Sequence, residues 1–347
     1  MRHIPFLDVR LGGPVAHAMA RVGAAAALRD SCLSPAPRWT HGVLSPIDRI
    51  VAEWLRRSAT AYRPELEHIA DILGFPGALT LNMSYLFACT TAADPVIDRA
   101  PVLRRSLDWP FNGLGRAVEI AWQSGPAGEF YNVTWPGAVG VLTGMAPGRF
   151  AAAVNQAPMR RRTRGLIGLP YDVTLNLASA LRDVDGWPPD HLLRLAFENC
   201  ETFEDAIELL SRERVARPAL FTLTGVKPDE MAVIERREGS ARVIRGPIAV
   251  ANDWQTPQDG WAARFGYANN EARKATIRSF APGGAPFDWA VAPVLNPTTR
   301  LLVEMSAGGG GELMARGYEW TASKRLCEPA TRDFRLFDAR VAEPLAA

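Results

Sequence analysis

Beyond residue 89 the chain is broken into short apolar runs separated by turn residues, and this limits what it can fold into. Residues 102–109, 117–122, 129–135, 138–143 and 150–155 read as successive antiparallel strands. Residues 171–212 then read as helical, in three segments starting near Asp172, Pro189 and Thr202, where Thr202 and Asp205 form a capping-box start. Strands resume at 220–226, 231–236, 241–245 and 248–251, and a helix is expected over 270–279. A last strand at 301–305 runs into Ser306, Ala307 and four glycines, Gly308 to Gly311, expected as a flexible loop because they lack the Lys-Ser of a phosphate cradle. Strands, helices and strands again, with no repeat or long linker, predict two packed sheets with helices outside them.

The part before residue 89 reads differently. Residues 31–46 are rich in Pro and Ser and are expected as an irregular lead-in, with helical order starting after them. Ser45 caps a helix with Pro46 at its first position, and Ile47, Ile50, Val51, Trp54 and Leu55 recur at helical spacing. A second helix from Pro64 carries Leu66, Ile69, Ala70 and Leu73 on one face and stops at Gly74. Residues 79–87 alternate like a strand but suit a buried helix equally well. Residues 1–20, with Arg2, Asp8 and Arg10 spread through them, read as neither a secretory signal nor a membrane span, and the expected location is the cytoplasm.

Composition narrows the function. A 48% hydrophobic share is ample for a core, and a formal charge of +2 gives no electrostatic footprint for nucleic acid, so partners are expected through a site. Cys32, Cys89, Cys200 and Cys327 lie far apart with no Cys-x-x-Cys, which argues against a structural zinc and a disulfide framework. There is no His-Glu-x-x-His, no Gly-x-Ser-x-Gly and no Gly-Lys-Ser. His191 is the one histidine after Cys89, and it reads as a solvated helix start beside Pro188, Pro189 and Asp190. A Cys-His pair is therefore disfavoured, and a nucleophilic Cys89 would need another group to take its proton.

Residues 79–116 carry the densest chemistry. Cys89 follows Leu86, Phe87 and Ala88, with Thr90 and Thr91 after it; Arg105 and Asp108 come later, three apart, flanked by Leu107 and Trp109. This pattern resembles the N-terminal-nucleophile amide hydrolases of the acid ceramidase, N-acylethanolamine acid amidase and choloylglycine hydrolase group, in which a Cys-Thr is followed by Arg-x-x-Asp-aromatic. The resemblance extends over residues 47–308, through Gly140 to Pro147, residues 218–236, Val250 to Trp254 and Glu304 to Gly308. It implies an α+β fold, a four-layer αββα sandwich, with residues 1–88 as a helical prosegment and 89–347 as the catalytic domain. It also implies a cut between Ala88 and Cys89, freeing an α-amine whose ordinary pKa of about 7.7 to 8.0 suits a general base.

Carried over residue by residue, Cys89 is the nucleophile and Asp108 binds its amine, while Arg105 favours thiolate. Asn252 is the oxyanion donor, and Arg273 matches a later arginine for which Arg264 is the alternative. Where the acylethanolamine branch has an acidic residue, this chain has Gln156 beside Asn155, and both are expected near substrate. Trp109, Phe111, Trp135 and residues 165–169 are expected to supply an apolar acyl site. Arg160 to Arg164 reads as a solvated run near the expected substrate mouth, with an anion or membrane-surface contact as the alternative. The expected activity is hydrolysis of linear N-acyl amides without cofactor or metal, with a small-molecule amide as partner. Acyl transfer and non-catalytic binding of an acyl compound are the alternatives, and the oligomeric state stays open.

Overall fold

A computed structural model describes residues 1–34, 42–83, 88–163, 168–182, 184–262, 269–282, 284–339 and 343–344. The chain opens with β1 (Phe6–Asp8) and α1 (Gly13–Leu33), then α2 (Leu44–Arg57), α3 (Arg63–Leu73) and α4 (Ala78–Asn82). A strand-rich stretch follows: β2 (Ala88–Val96), β3 (Arg99–Asp108), β4 (Glu119–Gly125), β5 (Gly128–Thr134), β6 (Thr143–Ala146), β7 (Phe150–Gln156) and the short β8 (Met159–Arg160). Three helices come next, α5 (Leu169–Arg182), α6 (Pro189–Asn199) and α7 (Phe203–Arg212). They lead to β9 (Ala219–Thr224), β10 (Met231–Arg237), β11 (Ser240–Arg245), β12 (Ile248–Val250) and β13 (Trp261–Ala262). After α8 (Asn270–Arg278) come β14 (Thr299–Ser306), β15 (Glu312–Thr321), β16 (Leu326–Pro329), β17 (Phe334–Arg335) and β18 (Glu343–Pro344).

The large sheet has the order β11-β10-β9-β7-β6-β5-β4-β1-β18, and the second runs β12-β2-β3-β14-β15-β16, with β17 also paired to β15. The two pack face to face where β2, β3 and β14 meet β7 and β9. Helices α6 and α7 cover the outer face of the large sheet, and α8 covers β2 and β12 on the other side. This is the four-layer αββα sandwich expected. Central strands are covered on both faces, which is why residues such as Ala88 to Ala93 and Ala219 to Thr224 are buried without polar alternation. The α7 start has its capping box, Asp205 N–H donating to Thr202 Oγ1 at 3.1 Å and Thr202 N–H to Asp205 Oδ2 at 3.0 Å.

Several expectations are overturned. Helical order does not begin after residue 46: α1 precedes it, 21 residues long, and runs into the stretch expected as irregular. Its run of alanines gives no apolar stripe, and its buried face includes His17, which reaches Glu119 Oε2 at 2.7 Å. Arg21, at a kink in α1, donates to Glu119 Oε1 from Nε at 2.8 Å. Residues 1–88 are also not purely helical, because β1 pairs in parallel with β4. The strand expected over 138–143 starts only at Thr143, and residues 79–87 supply the short α4, with 84–87 outside the described residues. The four glycines make the turn of a β14-β15 hairpin, so the strand at 301–305 is not the last.

His191 is likewise not solvated. It is fully buried, its Nδ1 lies 2.8 Å from Thr60 Oγ1, and burial holds its pKa below the ordinary value. Next to it Arg194 pairs with Glu65 at 2.5 Å and Glu198 at 2.7 Å, while Tyr62 donates to Glu198 and lies under the Arg194 guanidinium at 4.0 Å. Residues 1–83 are thus joined to the sandwich by buried polar contacts at α6 and β4 as well as by apolar packing. Within the large sheet's outer core, Phe197 stacks on Phe150 and Phe130 with centroids 4.8 and 5.4 Å away. Phe197→Ala is expected to cost about 3–5 kcal/mol, read as a fall in the urea midpoint at unchanged slope.

Candidate active site

Strands β2 and β3 pair antiparallel with Ala88 opposite Asp108, Cys89 opposite Leu107 and Thr91 opposite Arg105. Side chains alternate along a strand, so Cys89, Thr91, Arg105 and Leu107 share one face while Thr90, Ser106 and Asp108 share the other. The first face meets β7, where Cys89 Sγ lies 4.0 Å from the Val154 carbonyl. There Arg105 donates from Nη2 to Cys89 Sγ at 3.0 Å and from Nη1 to the Leu142 carbonyl at 3.0 Å. A one-residue slip of β3 would put Arg105 on the wrong side of the sheet.

The second face meets α8. Arg273 Nη1 donates to the Cys89 carbonyl at 2.9 Å and Thr90 Oγ1 at 3.2 Å, and lies 3.5 Å from Asp108 Oδ2. Its Nη2 donates to Asn252 Oδ1 at 3.0 Å and Asn270 Oδ1 at 2.6 Å. Asn252 Oδ1 also accepts the Cys89 backbone N–H at 3.1 Å, and Asn252 Nδ2 donates one hydrogen to the Gln156 carbonyl at 2.8 Å. An amide nitrogen carries two hydrogens, so one remains for another acceptor. Asp108 is held by Thr299 Oγ1 at 2.8 Å. The Cys89 nitrogen in this whole chain therefore has Asn252 Oδ1 as its acceptor, with Asp108 just beyond Arg273.

Burial pushes the Cys89 thiol up to about 11; Arg105 opposes this, Asp108 adds to it, and Arg273 and the Gln156 backbone N–H pull it down. Burial also raises the Asp108 carboxyl, against Arg273, Thr299 and Asn296. It lowers the Arg105 guanidinium, against Cys89 and Asp108. All three side chains are inaccessible to solvent. Such a thiol is almost entirely protonated at neutral pH, and its two guanidiniums offset part of the cost of forming thiolate.

The other expected site residues divide into two groups. Trp109, Phe111 and Trp135 come together in the wall of an apolar cavity of about 90 Å³, with the indoles of Trp109 and Trp135 edge to face at 5.9 Å. Leu28 and Cys32 of α1, Leu73 of α3 and Leu81 of α4 also line it, so residues on both sides of the 88–89 bond enclose it. Gly137, at φ +80, allows close approach: a Cβ there would lie 2.9 Å from Leu73 Cδ1. Leu142 is in this wall too, and its carbonyl links the cavity to Arg105 and Cys89. Asn155 lies elsewhere: its Oδ1 accepts from Thr91 Oγ1 at 2.7 Å and its Nδ2 donates to the Ala251 carbonyl at 3.0 Å, fixing the approach to Asn252.

Gln156 contributes through its backbone. Arg161 and the backbone N–H of Arg162 bind Asp172 at 2.8 Å each, and Arg160 lies over Trp261, so this part of the arginine run is tied down. Arg264, Arg164 and residues 165–167 lie outside the described residues. Thr299, Asn270 and the Leu142 carbonyl were not singled out from the sequence; they act through position, and no spacing rule marks them. Among the described residues no three His, Cys, Asp or Glu side chains gather as metal ligands, and no helix is long and apolar enough to cross a membrane.

No protein-family model matches the chain. It is 24% identical over 241 residues to the acid ceramidase of Heterocephalus glaber, covering 63% of this chain and 59% of that protein. It is 26% identical over 297 residues to the N-acylethanolamine-hydrolyzing acid amidase of Oryctolagus cuniculus, covering 81% and 78%. A probable acid ceramidase of Caenorhabditis elegans is 26% identical over 216 residues, covering 56% and 51%. The chain thus spans about half to three-fifths of the two ceramidases' length. Among solved structures, the Caenorhabditis elegans N-acylethanolamine-hydrolyzing acid amidase ortholog aligns at a TM-score of 0.48 with 17% identity, over 64% of this chain and 93% of that one. The sequence similarity runs to the same group as the motif pattern.

Among the described residues, Arg273 is the cation within ion-pair distance of the buried Asp108 carboxylate, at 3.5 Å. In a Cys89→Ala background, Arg273→Ala is expected to cost about 3–5 kcal/mol at neutral pH. The loss should shrink on acidification. Asp108 binds its proton more readily folded than unfolded, so stability falls as pH rises through the range between the two pKa values, more steeply once the cation is gone. Urea titrations between neutral and mildly acid pH check this, and adding Asp108→Asn should flatten the dependence.

Proposed function

We propose that this chain is a cysteine amidohydrolase that cleaves the carbon-nitrogen bond of linear N-acyl amides through an acyl-enzyme. One observation carries the reading: a buried thiol with a guanidinium at 3.0 Å, whose own backbone N–H and carbonyl are bracketed by Asn252 and Arg273. The similarity to proteins named as ceramidases and acid amidases supports the same chemistry. No histidine bonds to Cys89 among the described contacts, and His191 is occupied with Thr60. The base is therefore the α-amine of Cys89 itself, freed by a cut after Ala88.

In maturation, Cys89 Sγ attacks the Ala88 carbonyl carbon, and the bond to the Cys89 nitrogen breaks as that nitrogen takes the thiol proton. Water then hydrolyses the thioester, leaving Ala88 as a carboxylate and Cys89 with a free amine. In turnover the amine takes the thiol proton, thiolate attacks the substrate carbonyl, and the remaining Asn252 N–H with the Gln156 N–H stabilises the oxyanion. The protonated amine donates to the leaving nitrogen, and water releases the acid. Arg105 steadies negative charge on sulfur, and Asp108 with Arg273 orients the amine. The acyl chain lies in the cavity of Trp109, Phe111 and Trp135.

Removing Arg105 or neutralising Asp108 (Arg105→Ala, Asp108→Asn) is expected to lower kcat by about 100- to 1000-fold in folded, processed protein. Near-normal rates would remove that residue from the site. Acyl-chain length should be felt strongly, since each buried methylene contributes at most about 0.8 kcal/mol. A homologous series of N-acyl amides, assayed for released acid, should show kcat/KM rising with length; a flat or falling profile would sink the apolar acyl site while leaving the nucleophile intact.

A further inference from the structure

Beside the apolar cavity lies a second, of about 150 Å³, and Leu28 and Pro136 are in the walls of both. It carries cations that the first lacks. Arg2, Arg21 and Arg116 line it, with Glu119 as the one carboxylate. Glu119 is already committed to His17 and Arg21. The guanidiniums of Arg2 and Arg116 have no ion-pair or hydrogen-bond partner among the described residues, and both side chains are solvent-accessible. Gly113, at φ +91, brings the loop before β4 against α1, since a Cβ there would lie 2.5 Å from Ser31 Cβ. The result is a recess lined by cations against the wall of an apolar one, built from residues on both sides of the 88–89 bond.

An apolar recess followed by a cationic one matches a chain that ends in an anion. Building on the amidase reading, we propose that the acyl chains taken by this protein carry a carboxylate at the end remote from the scissile amide, held by Arg2 and Arg116. The chain passes Leu28 and Pro136 to reach them. A methyl-ended chain would leave both guanidiniums hydrated and gain nothing from them, whereas a carboxylate there meets two cations whose one acidic neighbour in the wall, Glu119, is already paired with His17 and Arg21. Because both arginines are exposed, each contact is modest and weakens with salt.

The test measures binding, so it does not depend on turnover. The uncut Cys89→Ala chain is titrated calorimetrically with two N-acyl amides of equal length, one chain ending in carboxylate and the other in methyl. The carboxylate-ended amide should bind at least as tightly as the other. Arg2→Ala or Arg116→Ala should weaken it about threefold each, and together about tenfold, with the methyl-ended amide unchanged. Arg116→Lys should keep part of the gain, and added salt should weaken only the carboxylate-ended ligand. The proposal is overturned if the carboxylate-ended amide binds worse in the parent, or if the arginine variants shift both ligands equally or neither. Turnover of the methyl-ended amide by the wild type tests the amidase reading by itself. Its failure with arginine-dependent binding intact would overturn that reading alone, and the reverse pattern would overturn this one alone.

Discussion

The antiparallel register of β2 against β3 is the constraint on which the rest of the site depends. It sets Cys89 beside Leu107 and Thr91 beside Arg105, so a thiol and a guanidinium two pairs along the ladder reach each other on one face. On the opposite face it sets Thr90 and Asp108 where α8 can deliver Arg273. Neither cation would be tolerated in this core without partners, because an unpaired buried charge costs several kcal/mol. Arg105 has the thiol and the Leu142 carbonyl; Arg273 has the Cys89 carbonyl, Thr90, Asn252, Asn270 and Asp108. Burial that raises the thiol pKa and cations that lower it thus act on the same atom, and the balance in the whole chain favours thiol.

The N-terminal residues are part of this arrangement. They contribute β1, which lies between β4 and β18 in the large sheet, wall off the apolar cavity with α1, α3 and α4, and close two polar networks, His17 and Arg21 with Glu119 and Glu65 with Arg194. Under the proposed maturation the backbone would be cut at Cys89 while these contacts stay, so the two pieces would remain one structure. The cavity's shape would then depend on both pieces, and the acyl site would be a property of their interface.

Much of this was legible in the sequence for local reasons. The strand runs are apolar and bounded by turn residues, and β7, β9, β10 and β11 fall within a residue or two of expectation. Cys89, Arg105 and Asp108 were marked by the resemblance that their Cys-Thr and Arg-x-x-Asp pattern carries, and a single hairpin joins them, so their spacing along the chain maps onto a ladder register. Asn252 and Arg273 came from family resemblance, since nothing in their local spacing links them to Cys89. Thr299 and Asn270 were missed because their roles arise when distant elements meet. Helix α1 was hidden because alanine gives no apolar periodicity, and β15 because its Gly-rich turn reads as a loop until the partner strand is seen. His191 misled because Pro188, Pro189 and Asp190 describe a helix start but not what packs over it.

The proposed chemistry requires that Cys89 become an N-terminal residue. Mass spectrometry of purified wild-type protein and of Cys89→Ala, with the new chain terminus sequenced, tests it most directly. Two wild-type pieces are expected, one ending at Ala88 and one beginning at Cys89, held together in native solution, with a single uncut Cys89→Ala chain. An active wild-type protein that is whole across the 88–89 bond, or a Cys89→Ala chain cut there, would contradict it.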